Sequence, residues 1–369
     1  MQLESVTVRR MTLPMLTPFT TSFGTQTHRD LLIVEAHSGG VTGYGECVAL
    51  AEPLYSEETT STCALVIQDY ILPRLQGLEI SHPREVSAAL SPLKRNNMAK
   101  AAVEGAIWEL WAKRENQSLA QSFGGTKDAV EVGLSIGIKP TDADLIDTVG
   151  AAVDAGYKRI KIKIAPGRDL QMMRAVRAEF PDAVLMADAN SAYTMADLEL
   201  FQALDELDLL MVEQPLAHDD IVDHRHLQAA IRTPVCLDES IHSAEDARQA
   251  IELGSCRIIN IKIGRVGGIA ESLKIEQLCR QHGIDVWCGG MLETGIGRAH
   301  NVAIASLEGF TLPGDTAPSA RYWAEDIIEP EVTMDDGVVA VPTAPGLGFS
   351  VKQQLLEDLT VSSFSTDWR

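Results

Sequence analysis

Five ionisable residues, Lys163, Asp188, Glu213, Asp238 and Lys262, follow one another at spacings of 25, 25, 25 and 24. Each sits towards the end of a short apolar run: RIKIKI, AVLMADAN, LLMVEQP, PVCLDES and RIINIKIG. A strand, its turn and a returning helix take about that length, so the period predicts repeated βα units around a parallel sheet. VGLSIGI precedes these runs, and DVWCGG and a weaker GFTLPGD follow them, making eight from about Val130 onward. Eight runs predict a closed barrel. An open doubly wound sheet also alternates, but it would carry a glycine-rich phosphate turn after an early strand, and GIKPTDADL has none. At the C-terminal rim of a barrel, strand-end side chains converge, so the five ionisable residues share one mouth.

The chain of 369 residues has room for such a barrel and a smaller domain. Met1 to about Gly125 reads as an α+β unit. Its strands are LESVTVRRMTL, DLLIVEAHSGG and VTGYGECVAL, and helices follow around Glu57 to Leu72 and Met98 to Lys113. The second helix carries Ala102, Ala106, Ile107, Leu110 and Trp111 on one face. A net charge of -21 repels phosphodiester backbones and anionic lipid, which points to a small-molecule partner, with no nucleic acid and no membrane. The opening MQLESVTVRRMTLPMLTPF lacks the apolar core of a signal peptide, and no stretch of 18 apolar residues occurs, so a cytoplasmic protein is expected. The six cysteines form no CxxC pair and are expected to be reduced, mostly buried thiols.

Three carboxylates on neighbouring strands repel one another if gathered dry and unpaired, and a divalent cation resolves that. Oxygen-only donors select a hard ion, Mg²⁺ or alternatively Mn²⁺. Cys236 lies two residues before Asp238 and belongs a layer deeper. A blander reading has each acid cap the helix that follows its strand. Lys161 and Lys163 are two apart in a strand and both face the barrel interior, where a long cation needs a reason. Lys163 ends the second run and Lys262 the sixth, which places them on opposite sides of an eight-membered ring. A substrate between them presents one face to each amine. That geometry suits removal of a proton from the carbon next to a carboxylate, with the ion stabilising the enediolate. Nearby cations and partial desolvation are expected to lower the pKa of Lys163 and Lys262 towards that of a useful base. A non-catalytic barrel that binds a carboxylate ligand would not need amines on both faces.

The Lys161-x-Lys163 pair, Asp188-Ala189-Asn190, Glu213-Gln214-Pro215, Asp238-Glu239-Ser240 and Asn260-Ile261-Lys262 resemble the enolase superfamily in its muconate-lactonising subgroup. Gly289 to Asn301 and Leu312 to Ile327 are similar to the o-succinylbenzoate synthase and N-succinylamino-acid racemase family. The resemblance covers nearly the whole chain. It implies an α/β fold, a modified TIM-type (β/α)7β barrel over 126–319, with an α+β capping domain from residues 1–125 and a segment 320–369 that returns to the cap. It implies Asp188, Glu213 and Asp238 as Mg²⁺ ligands, Lys163 and Lys262 as the acid/base pair, and Glu239 as a supporting carboxylate. Substrate contacts would come from Lys161, Ser135, Asn190, Gly290, Met291, Leu292 and Tyr322, with Phe19 and Phe23 on an apolar lid loop. The implied reactions are dehydration to o-succinylbenzoate, racemisation of N-succinylamino acids, or both, in a homo-oligomer. Dipeptide epimerases of the subgroup carry an Asp-x-Asp pair at the eighth strand, whereas Gly314-Asp315-Thr316 has one acid. Muconate cycloisomerase shares the five catalytic positions and fits Gly289 to Glu293 less well.

Overall fold

A computed structural model describes residues 1–22 and 24–368. The amino-terminal strands β1 (Ser5–Thr21), β2 (Gly24–Ser38) and β3 (Val41–Cys47) form an antiparallel sheet. On β1, Val6 and Val8 are buried in the core of the cap, while Met11 and Leu13, of opposite parity, are buried in the barrel core on the other face. Pairing of β1 with β2 slips between Pro14 and Phe19. Prolines at 14 and 18 cannot donate to a ladder, and the slip releases this stretch towards the barrel mouth.

Helix α1 (Asn97–Arg114) is buried nearly all round. Ala102, Ala106, Ile107 and Leu110 join the core of the cap, as their spacing predicts, while Trp108 joins the barrel core. Trp111, expected on the buried face, is only half-buried, its ring 4.9 Å from that of His82. A helix between two layers has two buried faces, and a single apolar stripe describes only one of them.

Seven short parallel strands make the second sheet: β4 (Gly133–Ile136), β5 (Arg159–Lys163), β6 (Leu185–Asp188), β7 (Val212–Glu213), β8 (Val235–Leu237), β9 (Ile258–Ile261) and β10 (Asp285–Cys288). They lie side by side in chain order, with helices on the outside, including α2 (Ile269–His282) and α3 (Gly295–Ala305). The eighth run, GFTLPGD, forms no strand. Isolated bridges Val286↔Phe310 and Val132↔Gly314 close the ring in its place, with Asp315 N donating to Cys288 O at 2.8 Å. Pro313 has no N–H for a ladder, which accounts for the interruption. Met186, Met211, Cys236, Ile258 and Trp287 cluster on the barrel floor, so Cys236 does sit below Asp238.

Val338–Ala340 pairs with Ala129–Glu131, and Val339 and Val341 enter the barrel core. The last strand, β11 (Thr360–Asp367), then runs antiparallel to β1 at the edge of the cap sheet. All six cysteines are free and buried. No helix among the described residues is long and apolar enough to cross a membrane.

Candidate active site

Strand register brings the period residues together. Lys163 pairs with Asp188 and Asp188 with Glu213, while Glu213 pairs with Cys236, two residues before Asp238. Alternation along each strand puts all of them on the inner face at the C-terminal ends. Lys262 follows β9, four strands from β5 in the sheet order. Lys163 and Lys262 are nevertheless walls of one small space, along with Lys161, Ser135, Phe19, Leu292 and Tyr322.

Each amine holds a carboxylate. Lys163 Nζ lies 2.6 Å from Asp188 Oδ2 and 2.6 Å from Asn190 Oδ1. Asn190 in turn donates to Glu239 Oε1 at 3.0 Å. Lys161 Nζ sits between Glu213 Oε2 at 3.1 Å and Asp188 Oδ2 at 3.4 Å. Across the mouth, Lys262 Nζ is 2.8 Å from Asp238 Oδ2 and 3.1 Å from the Tyr55 hydroxyl. Arg265 Nη1 donates to Asp238 Oδ1, and Tyr55 Oη donates to the same oxygen. Gln214 ties the acidic motifs together: its Oε1 accepts from Asp238 N at 2.9 Å and its Nε2 donates to Ser240 Oγ at 2.6 Å.

Burial and charge act against each other here. Burial raises the Asp188 carboxyl, but Lys163 and Lys161 outweigh it and hold the group well below the usual carboxylate range. Glu213 is pushed up by burial and by Asp188 beside it, and Glu239 is raised for the same two reasons. Lys262 departs from expectation. Burial does pull its pKa down, yet Tyr55, Glu239 and Glu213 outweigh burial and hold it above the ordinary lysine range. The expected lowering counted the neighbouring cations and missed the acids and phenol that contact this amine.

The remaining predicted positions are distributed around this centre. Ser135 on β4 is in register with Lys161. Gly290 and Leu292 border the space, and Leu292 has a φ of 57°. Met291 is buried with the core of the cap. Phe19 is half-buried and reaches the mouth from β1, while Phe23 lies outside the described residues. Thr20 O accepts from Ile138 N at 2.9 Å and Leu16 N donates to Tyr322 O at 2.9 Å, so this loop is docked on the barrel by its backbone. The space that Lys163 and Lys262 line is about 50 Å³, room for very few waters. A much larger groove of about 810 Å³ lies between α2 and the helix Arg84–Leu90. None of the period residues borders it, and on its α2 side Lys274 pairs with Glu271 and Arg280 with Glu308.

Sequence reasoning gave no role to Tyr55, Arg159, Arg265, Trp287 or Asp315. Arg159 was within reach, since the alternation that placed Lys161 and Lys163 inward places it there too. Tyr55 arrives from a loop of the cap, and no spacing in the barrel announces it.

Residues 144–355 match the family described as enolase C-terminal domain-like, and residues 4–124 match the mandelate racemase / muconate lactonizing enzyme N-terminal domain. The chain belongs to the enolase superfamily. It is 54% identical to an o-succinylbenzoate synthase of Geobacillus stearothermophilus over 97% of this chain and 96% of that one. It is 46% identical to an N-succinylamino acid racemase of Thermus thermophilus over 98% of both chains. A crystal structure of an enolase superfamily member from Listeria innocua superposes with a TM-score of 0.97 at 44% identity, covering 100% of both chains.

Enolase superfamily enzymes are generally divalent-metal dependent. The donor types here fit a hard ion. Asp188, Glu213 and Asp238 offer oxygen only, and buried Glu213 Oε2, although near Lys161, accepts no hydrogen bond. Two acids already flank one cation, the Lys161 ammonium, whereas Asp238 is turned to Arg265, Tyr55 and Lys262. Among the described residues no three His, Cys, Asp or Glu side chains converge as a ligand set.

Proposed function

We propose that this chain abstracts the α-proton of a succinylated carboxylate substrate, acting as an o-succinylbenzoate synthase, an N-succinylamino-acid racemase, or both. The observation that carries this reading is that two buried amines four strands apart, Lys163 and Lys262, line one small space. Relatives of both names align over nearly the full chain and support the substrate class.

Asp188, Glu213 and Asp238 would hold Mg²⁺. When bound, that ion supplies the charge that makes the α-proton acidic enough to remove and the enediolate stable enough to form. In racemisation, Lys163 as free amine takes the α-proton from one face, and Lys262 as ammonium returns a proton to the other. In dehydration, Lys163 acts as base and then gives its proton to the departing hydroxyl, with Lys262 serving as a fixed positive charge. Lys161 offers a second cation to the substrate carboxylate. Glu239 orients Asn190, which grips Lys163. Ser135, Gly290, Met291, Leu292 and Tyr322 would form or back the pocket. The Phe19 loop, with Phe23, would exclude water once substrate is in place. In this reading residues 1–125 form the cap, 126–319 the catalytic barrel, and 320–369 the segment that returns to the cap.

The test is a paired assay of dehydration and racemisation on one preparation, with EDTA and Mg²⁺ add-back, while NMR in D₂O follows the α-proton of an N-succinylamino acid. Exchange that stops on chelation and returns with Mg²⁺ is expected. Neither exchange nor dehydration by a folded, metal-loaded protein would sink the proposal, and activity surviving full chelation would remove the ion from it.

A further inference from the structure

Three cations stand in one row on β5. Arg159, Lys161 and Lys163 alternate inward from floor to rim, and all are buried. Lys163 is matched by Asp188, and Lys161 by Asp188 and Glu213. Arg159 meets neither of those acids. Its guanidinium is fully buried, its Nε and Nη1 make no hydrogen bond, and its Nη2 donates to Pro313 O and Asp315 Oδ1, both at 2.9 Å. The other oxygen of the same carboxylate, Asp315 Oδ2, lies 3.0 Å from Lys161 Nζ. Both cations also rest on one indole ring, Arg159 Cζ at 4.6 Å and Lys161 Nζ at 4.7 Å from the centroid of Trp287.

Asp315 itself is held tightly. It is buried, its N donates to Cys288 O, and its carbonyl accepts from Arg298 Nη1 at 3.0 Å. The irregular eighth segment thus presents one carboxylate, fixed at the backbone, to two stacked cations. A lysine side chain has four rotatable bonds, and a flexible ammonium contributes to catalysis only if something fixes it before substrate arrives.

We propose that Asp315 is a positioning residue that works through Lys161. Braced by Arg159 and Trp287, it holds the Lys161 ammonium at the level of the strand ends facing Asp188 and Glu213. This deepens the proposed function and rests on it for the role of Lys161, while the anchor itself is a matter of geometry.

A double-mutant cycle tests it. Asp315→Asn keeps the shape and removes the charge; kcat for α-proton exchange is expected to fall about 100-fold with KM within about threefold, the scale of a small misplacement of a reacting group. In a Lys161→Ala background the same change is expected to do nothing further. An unchanged kcat for Asp315→Asn, or losses that multiply in the double variant, would overturn the proposal. A second cycle reads the anchor without catalysis. Asp315→Asn is expected to change tryptophan emission in the parent and not in Trp287→Phe, and no change in the parent would refute the anchor. If Asp315→Asn does not fold, Arg159→Gln leaves the carboxylate and removes its brace, and it enters the same two cycles, where the same results support or overturn the proposal. If the parent shows neither dehydration nor exchange on N-succinylamino acids, the functional reading fails and the emission cycle alone decides the anchor; if it only dehydrates, kcat for dehydration is read in the first cycle instead.

Discussion

At the scale of single residues, the barrel interior is an exercise in matching charge inside low dielectric. Every buried cation on β5 touches a carboxylate, because an isolated one would cost several kcal/mol. Room for the deepest of them is made across the strand pair. A Cβ added at Gly133 would stand 2.3 Å from Arg159 Cζ, in a register where the two residues face each other. Gly133→Ala should therefore cost about 1–3 kcal/mol of stability, measured by urea unfolding. The amines are expected to divide by reaction. Lys163→Ala should lose dehydration, and α-proton exchange at the face it serves, by about 10³-fold or more, the upper range for a general base. Lys262→Ala should lose racemisation to a similar extent while retaining exchange at the face served by Lys163. Exchange at that face at the wild-type rate in Lys163→Ala would show that the base lies elsewhere.

At the scale of elements, two of the contacts that join cap and barrel lie beside the mouth. Glu46 on β3 reaches the N-terminal turn of α3, accepting from Thr294 N at 3.1 Å, Thr294 Oγ1 at 2.6 Å and Gly297 N at 2.9 Å. Burial raises its pKa, the bond from Thr294 lowers it, and repulsion from Glu293 raises it again, leaving it pushed up to about 7. A carboxyl raised on folding contributes stability that is complete below its unfolded pKa and is lost as pH rises through about 7. Between about pH 5 and pH 8 the Tm of the parent should fall by about 3 °C relative to that of Glu46→Gln, read by calorimetry. Parallel pH profiles for the two would show that Glu46 does not titrate in this window. The second contact is the docked loop. A Cβ at Gly137 would stand 2.7 Å from Thr20 O, the acceptor of the Ile138 N–H. Gly137→Ala should prevent docking and raise KM about tenfold, the worth of one lost hydrogen bond, with the Tm little changed. An unaltered KM would mean that docking of this loop does not contribute to binding.

For the whole molecule, a net charge of -21 surrounds a site whose proposed substrates are themselves anions. Long-range repulsion opposes encounter and is screened by salt, so raising ionic strength from about 10 to about 150 mM should raise kcat/KM about twofold with kcat constant. A fall would mean that the local cations dominate the approach. The alternation of runs, the common rim and the inward row of β5 were legible in the sequence, because strand period and βα repeat length are local properties of the backbone. Asp188, Glu213, Asp238, Lys163 and Lys262 could be named from spacing alone for that reason. Tyr55 could not, since it reaches the centre from a cap loop outside the repeats, and neither could Arg265 or Asp315, whose parts depend on which groups they touch; Asp315 also comes from a run that Pro313 keeps from becoming a strand at all. The direction of the Lys262 shift was equally hidden, because it depends on which groups touch the amine. Local backbone periodicity therefore determined the barrel and the acids and amines on its rim, whereas side-chain pairing across segments far apart in the chain, which depends on distances of a few ångströms, was decided only by the tertiary structure.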